Sequence, residues 1–145
     1  MRLTSPEFEN GQSIPARFTC DGGDARPDVA FSEPPEGTAS LALIVDDPDA
    51  PSGLWTHWVV WDIPPQTEAF DGGLPEGAVQ GRTSSGMNGW HGPCPPNGTH
   101  HYYWRLYALD TVIGLPADRD AAALRDAMKG HILAECSLMG TYSRG

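Results

Sequence analysis

Apolar and polar residues alternate along much of the chain, a period-two pattern that is typical of β-strands. The clearest segment runs from Trp55 to Ile63. Strict alternation places on one of its faces Trp55, His57, Val59, Trp61 and Ile63. The opposite face, which carries Trp58 and Val60, is also too apolar for a solvated edge strand. We therefore expect a buried strand that carries a histidine, His57, in an inward-looking position.

Further short segments with strand character are separated by turns rich in glycine and proline, which together indicate an all-β organisation. These segments are Ser13 to Thr19, Ser40 to Val45, Ala78 to Thr83, His100 to Asp110 and His131 to Tyr142. No internal repeat or linker divides the chain, so residues 1–145 are expected to form a single domain.

One helix is predicted near the end of the chain, in the segment PADRDAAALRDAMKGH. Its alanines favour a helix, Leu124 and Met128 share one face, and Gly130 is a typical stop. Either Asp118 or Asp120 can act as the N-cap.

The chain has a formal net charge of −10, and Lys129 is its only lysine. A negative field of this size repels nucleic acids and anionic lipid surfaces, so neither is an expected partner. The region after Met1 lacks the charged and apolar runs of a signal peptide, and no apolar stretch is long enough to span a membrane. These features predict a protein without integral membrane association.

The chain contains three cysteines, Cys20, Cys94 and Cys136. An odd count without CxxC spacing fits neither a disulfide framework nor a structural zinc site. We therefore predict a reducing, cytoplasmic location.

Three aspartates, Asp46, Asp47 and Asp49, follow a predicted strand in the segment DDPDAP. Pro48 and Pro51 restrict the backbone there. Carboxylates held in this way can orient a histidine, accept from an ammonium group or bind a metal. An acidic β-turn without function is the alternative.

The segment THHYYWRLYALD carries adjacent histidines, His100 and His101, which strand geometry places on opposite faces. His100 shares its face with Tyr102, so an imidazole and a phenol lie side by side as donors for an oxygen-rich ligand. Packed, purely structural roles are the alternative for both side chains.

The loop from Ser84 to Gly98 is long for a compact domain, and such loops are usually functional or disordered. Its GWHGPCPPNG segment combines glycines, which let backbone approach a ligand, with prolines that would form a wall. Backbone N–H groups in this segment can bind an anion.

Other site classes find little support in the sequence. Nothing visibly activates Cys94 as a nucleophile. The spacing of His57, His91 and His100 matches no recognised metal site. Motifs for a serine-hydrolase elbow, a phosphate-binding loop or a dinucleotide fold do not occur. We therefore expect no metal and no cofactor.

Four blocks, in order along the chain, resemble the phosphatidylethanolamine-binding protein family, also called Raf kinase inhibitor-like proteins, in its short bacterial and archaeal form. The blocks are IPARFTCDGGDARPDVAF, SLALIVDDPDAPSGLWTHWVVWDIP, GPCPPNGTHHYYWRLYALD and AMKGHILAECSLMGTYSR. The resemblance implies an antiparallel β-sandwich with Greek-key connections and one or two peripheral helices. It also implies a small pocket for anions such as phosphate, acetate or a phosphorylated head group. Trp90 departs from the family pattern, which leaves the pocket mouth undefined.

Carried over residue by residue, the resemblance assigns the pocket to Asp47, Asp49, Trp55, His57, Pro96, His100 and Tyr102. His57 would then be a donor that faces the ligand. The aspartates would hold an imidazole in its donor tautomer or meet the ammonium of an ethanolamine group.

We therefore expect a non-enzymatic binding protein for a small anion or phosphorylated group, with regulation of a partner protein, in the manner of a kinase inhibitor, as a further expectation. The alternative is a hydrolase or phosphoryl-handling enzyme in which His57 or His100 acts as general base. The five tryptophans allow either a homodimer interface or simple core packing.

Overall fold

The computed structural model describes residues 1–70 and 73–144, which form two antiparallel sheets and one α-helix. The elements in chain order are β1 (Arg2–Thr4), a 3₁₀ turn (Ala16–Phe18), β2 (Val29–Ser32), β3 (Ser40–Asp47), β4 (Trp55–Ile63), β5 (Ala69–Phe70), β6 (Val79–Gln80), β7 (Thr99–Leu109), α1 (Ala121–Met128) and β8 (Ile132–Ser143). The smaller sheet has the order β1-β2-β5, and the larger has the order β6-β4-β3-β7-β8. The expected mainly β, antiparallel architecture is confirmed.

The central strand of the larger sheet is β3, and it is buried along its whole length. Leu41, Leu43 and Val45 face a core shared with the smaller sheet. Ala42 and Ile44 face a second core beneath α1. Burial on both faces explains why the sequence of β3 is a nearly continuous apolar run and does not alternate.

A β-bulge in β4 determines where His57 points. The ladder between β3 and β4 contains the successive pairs Val45–Trp58 and Asp46–Thr56. His57 is therefore the extra residue, with no partner across the ladder. Its ring packs edge-on against Tyr102 in the core between the sheets, with the ring centroids 5.3 Å apart. The prediction that His57 shares a face with Val59 and Trp61 was wrong, because the bulge shifts the alternation by one residue.

A second irregularity, near the end of β4, moves Ile63 to the core between the sheets. Asp62 adopts a positive φ of 55° there. Its carboxylate accepts hydrogen bonds from the N–H groups of Ile113 at 2.7 Å and Gly114 at 3.0 Å. These contacts hold the chain between β7 and α1 against the larger sheet.

The helix α1 begins after Asp120, whose carboxylate accepts a hydrogen bond from the N–H of Ala123 at 3.0 Å. The structure therefore selects Asp120 over Asp118 as the N-cap. Leu124 and Met128 are buried together, as their spacing predicted.

The predicted strand from Ser13 to Thr19 was wrong, since the 3₁₀ turn occupies its second half. Pro15 has no N–H to donate to a ladder. Its carbonyl instead accepts from the N–H of Phe18 at 3.1 Å and closes the turn. Within the predicted segment, Ser13 alone makes an isolated bridge, to Thr141 of β8.

Other predicted bounds need smaller corrections. The strand predicted from Ala78 to Thr83 is reduced to the two residues of β6. The strands β1, β2 and β5 were not predicted, because segments of two to four residues are too short to show a period.

Cys20 and Cys94 form a disulfide, and Cys136 is a free thiol. The interpretation of the cysteines as incompatible with disulfide formation was therefore wrong. The two partners are 74 residues apart in sequence, and only the fold brings them together. The inference of a reducing compartment from the cysteine count loses its basis. No helix in the part of the chain that the structure describes is long and apolar enough to cross a membrane.

Three tryptophans, Trp58, Trp61 and Trp104, are fully buried within the two cores of the chain. Core packing therefore accounts for these side chains without a partner molecule. A homodimer stays a prediction.

The two candidate caps of α1 should differ in their contribution to stability. We expect Asp120→Ala to lower the free energy of unfolding by about 1 kcal/mol, since the N–H of Ala123 loses its acceptor. The matched control, Asp118→Ala, should change it by less than about 0.5 kcal/mol, because this carboxylate is exposed. Chemical denaturation measures both. Equal effects would contradict the assignment of the cap.

Candidate ligand-binding site

A cavity of about 290 Å³ opens where β3 ends and where β4 and β7 begin. These strand ends are neighbours because β3 pairs antiparallel with both other strands. Six of the seven predicted site residues line the cavity, namely Asp47, Trp55, His57, Pro96, His100 and Tyr102.

Asp49, the seventh predicted residue, lies outside the cavity lining. Its carboxylate accepts hydrogen bonds from the backbone N–H of His101 at 2.8 Å and from Nδ1 of the same residue at 2.7 Å. The side-chain hydrogen bond from His101 lowers the pKa of Asp49. These contacts tie the β3–β4 loop to the start of β7. A direct role for Asp49 in ligand binding stays a prediction.

Sequence reasoning missed half of the cavity wall. The lining residues that were not predicted are Ala50, Pro51, Ser52, His91, Cys94 and Pro95. Five of them belong to the DDPDAP and GWHGPCPPNG segments, which were both singled out, and Ser52 directly follows the first of these. The glycine, proline and aspartate pattern of the sequence therefore indicated the right segments, but it did not identify which of their residues line the cavity.

Asp47 and His100 form a buried hydrogen-bonded pair at the base of the cavity. His100 donates from Nδ1 to Oδ2 of Asp47 at 2.6 Å. The other carboxylate oxygen accepts from the backbone N–H of Asp49 at 2.8 Å. A carboxylate only accepts, so Nδ1 of His100 carries a proton and the neutral ring has its lone pair on Nε2.

Asp46 points to the opposite face of β3. Its buried carboxylate accepts hydrogen bonds from Nε of Arg105 at 3.0 Å and from Nη2 of Arg125 on α1 at 3.4 Å. The hydrogen bond with Asp46 raises the pKa of Arg105. Asp46 therefore ties α1 to the sheet, while its neighbour Asp47 serves the cavity.

His57 is held by the loop that forms the opposite wall. Its Nδ1–H donates to the carbonyl of His91 at 2.6 Å, so the neutral ring has its lone pair on Nε2. Burial lowers the pKa of His57, although the hydrogen bond to His91 and the charge of Asp47 act in the opposite direction. The ring is therefore neutral near pH 7. The donor role expected for His57 requires protonation of Nε2.

Tyr102 lies between the two imidazoles. Its ring centroid is 5.3 Å from that of His57 and 6.3 Å from that of His100. Burial raises the pKa of Tyr102, so the phenol keeps its proton. The hydroxyl is buried, and it has no hydrogen-bond partner among the described residues. A buried donor without a partner is uncommon in folded proteins and marks a place where a ligand or a water is expected.

Of the described residues that line the cavity, none is a lysine or an arginine. The side chains of the lining that can carry a positive charge are therefore the imidazoles of His57, His91 and His100. Trp90, expected near the mouth, packs instead against Trp58 and Trp104, with centroid distances of 6.1 and 6.0 Å. It therefore contributes to the core between the sheets.

The fold and the cavity together define an antiparallel β-sandwich with a small cavity, lined by histidines, an aspartate and prolines, at one end of its larger sheet. The family model for phosphatidylethanolamine-binding protein matches residues 4–143. The chain belongs to the phosphatidylethanolamine-binding protein family.

Individual relatives agree with this assignment. The UPF0098 protein of Methanothermobacter thermautotrophicus is 46% identical over an alignment that covers all of both chains. The UPF0098 protein of Pyrococcus horikoshii is 42% identical, with coverage of 97% of this chain and 75% of the relative.

Two solved structures are closely similar. A phosphatidylethanolamine-binding protein homologue from Chlamydia trachomatis has a TM-score of 0.93 at 40% identity and covers 99% of this chain and 97% of its own. Escherichia coli YbcL, a member of the same family, has a TM-score of 0.93 at 32% identity, with coverage of 99% and 98%.

Substitutions of the adjacent aspartates of β3 should have different effects, on stability for Asp46 and on the geometry of the site for Asp47. We expect Asp46→Ala to lower the free energy of unfolding by about 1.5–3 kcal/mol, because charge-assisted hydrogen bonds to two arginines are lost. The imidazole ¹⁵N resonances of His100 should be unchanged in this variant. Asp47→Ala should shift these resonances, since Nδ1–H loses its acceptor. A shift of similar size in Asp46→Ala would contradict the division of roles.

Proposed function

We propose that this protein is a non-enzymatic binding protein whose preformed pocket takes a small anion or a phosphorylated group. The observation that carries the proposal is the buried hydroxyl of Tyr102, which lines the cavity as a protonated donor without a partner. An anionic oxygen is the natural acceptor for such a donor, and hydrogen bonds to charged acceptors are stronger than those to neutral ones.

His57 and His100 suit a ligand that carries a proton of its own, or one whose binding is accompanied by uptake of a proton. Both have Nδ1–H engaged by the protein, at Asp47 and at the carbonyl of His91, so Nε2 is the remaining nitrogen. A neutral Nε2 accepts from a protonated phosphate oxygen. A protonated Nε2 donates to a fully ionised one. Anion binding is therefore coupled to protonation at this site.

The size of the cavity limits what can be enclosed. A volume of about 290 Å³ lies at the lower end of the range for small-molecule sites. The proline walls at Pro51, Pro95 and Pro96 are apolar and donate no hydrogen bonds. A phosphate group with a short organic substituent fits these features, and a longer chain would extend into solvent.

Titration with inorganic phosphate, followed by amide-resolved NMR, tests the proposal. Saturable shifts should appear at Asp47, His57, Tyr102 and the 93–98 loop. Tyr102→Phe should weaken binding about tenfold or more, the scale for a hydrogen bond to a charged group. The free energy of unfolding without ligand should stay the same or increase, since the buried hydroxyl has no partner to lose.

Tyr103→Phe is the matched control, because Tyr103 is the next residue of β7 and its side chain stacks under Arg105 outside the cavity. Phosphate affinity in this variant should equal that of the wild type. Acetate and phosphorylethanolamine, titrated in parallel, separate a general anion site from one selective for phosphate. Absence of shifts with all three probes at millimolar concentration would contradict the proposal.

The affinity for acetate should rise as the pH falls, because acetate stays ionised while His57 gains a proton. A bound anion raises the pKa of His57, and burial lowers it in the free protein. The affinity therefore rises over the pH range between the pKa of His57 in the complex and its pKa in the free protein. The pKa in the free protein lies below about 6.5. His57→Ala should weaken this dependence, because His91 and His100 remain in the cavity lining, and His131→Ala, outside the cavity, should leave it unchanged. An affinity that is flat from about pH 8 to 5.5 in the wild type would contradict the role of His57.

Related expectations from the sequence remain proposals. A partner protein regulated in the manner of a kinase inhibitor would dock through an anionic side chain, and pull-down with a Tyr102→Phe control tests this. A screen of phosphoester, ester and amide substrates tests the hydrolase alternative, with turnover that is lost in His57→Ala as the result that would favour it. A cytoplasmic location is likewise a prediction.

A further inference from the structure

The Cys20–Cys94 disulfide lies beside the cavity. Cys94 lines the cavity wall, and Cys20 belongs to the turn that follows the 3₁₀ segment. Both residues are exposed to solvent. A bond in this position is accessible to a reductant and is also part of the wall that a ligand would touch.

The wall has few other attachments. The N–H of Cys20 donates to the carbonyl of Pro93 at 3.1 Å, and the N–H of Gly92 donates to Asp24 at 3.0 Å. From Cys94 to Gly98, no backbone hydrogen bond to another described residue is present. Pro95 and Pro96 have no N–H to donate. Pro95 is buried, so packing also holds this part of the wall. The disulfide is its covalent link to the turn after the 3₁₀ segment.

The same segment holds His57. The carbonyl of His91, three residues before Cys94, accepts the Nδ1–H of His57, and the N–H of His91 donates to the carbonyl of His57 at 3.0 Å. A change in the position of the wall would therefore alter the tautomer of His57 as well as the shape of the cavity. The disulfide and the imidazole are connected through a few consecutive residues.

We propose that Cys20 and Cys94 form a reversible thiol–disulfide site, reduced by a dithiol, whose oxidation state sets the anion affinity of the cavity. The inference rests on the proposed function. The oxidised pair holds the wall in the geometry described above. In the reduced pair the wall gains conformational freedom, which must be lost again when an anion binds.

The exchange is balanced as a two-electron reaction. A thiolate of the dithiol attacks one sulfur, the protein S–S bond breaks, and a mixed disulfide forms. The second thiol of the reductant then attacks this mixed disulfide and releases the second cysteine. Two electrons and two protons pass to the protein, which holds two thiols, while the dithiol becomes a disulfide.

Arg144 favours Cys94 as the sulfur that leaves first. Its Nη1 lies 3.5 Å from Sγ of Cys94, and its Nη2 pairs with Asp21 at 3.0 Å. A guanidinium beside the sulfur stabilises the departing thiolate. Attack is therefore expected at Cys20, which becomes the partner in the mixed disulfide.

The test compares phosphate titrations of the oxidised protein and of the protein reduced with dithiothreitol, with imidazole ¹⁵N spectra recorded in both states. We expect reduction to weaken phosphate binding about tenfold, the scale for ordering one or two mobile groups at a site. We also expect the His57 resonances to move away from the values of a ring with a fixed Nδ1–H. The reduced protein should retain dispersed amide resonances.

Two variants identify the cysteines responsible. Cys136→Ser removes the free thiol and should respond to dithiothreitol like the wild type. Cys20→Ser with Cys94→Ser should bind phosphate like the reduced protein and should not respond to the reductant.

Three results would overturn the inference. One is equal phosphate affinity and equal His57 spectra in the two folded states. Another is global unfolding on reduction, which would make the disulfide a purely structural link. The third is an oxidised protein that does not bind phosphate, which would contradict the proposed function and with it any effect of the disulfide on anion affinity.

Discussion

The organisation of this protein depends on a central strand that is buried on both faces. Polar groups at the end of β3 cannot reach bulk water, so each must find a partner within the protein. Asp46 finds arginines on one side, and Asp47 finds His100 on the other. The first pairing attaches the helix to the sheet. The second forms the base of the cavity. One burial requirement therefore produces both a structural contact and a candidate site.

The cavity is preorganised by contacts from separate parts of the chain. Asp47 orients His100, and the carbonyl of His91 orients His57. The disulfide links the part of the wall at Cys94 to Cys20. Groups held in this way lose little conformational freedom when a ligand binds. Tyr102 is the exception, because its hydroxyl is buried with no partner among the described residues. The proposed function gives this hydroxyl an acceptor in the form of a small anion.

The electrostatics of the site differ from those of a phosphate site built from arginine or lysine. The chain is acidic overall, and the described cavity lining contributes histidines as its only groups that can become cationic. In the proposed function, attraction of an anion is therefore local and depends on protonation, and it gains nothing from the field of the whole protein. Family membership accounts for the fold, while the ligand depends on these particular side chains.

The sequence alone determined the fold class, the main strands, the helix and six of the cavity residues, because strand period, helix caps and the four ordered blocks are local signals. Only the tertiary structure decided three features. The β-bulge moved His57 to the other face of β4. Asp46 acquired Arg105 and Arg125 as partners, while Asp47 acquired His100. Cys20 found Cys94 across 74 residues. Register shifts and long-range pairings depend on how strands align with one another, and a local pattern does not contain that information.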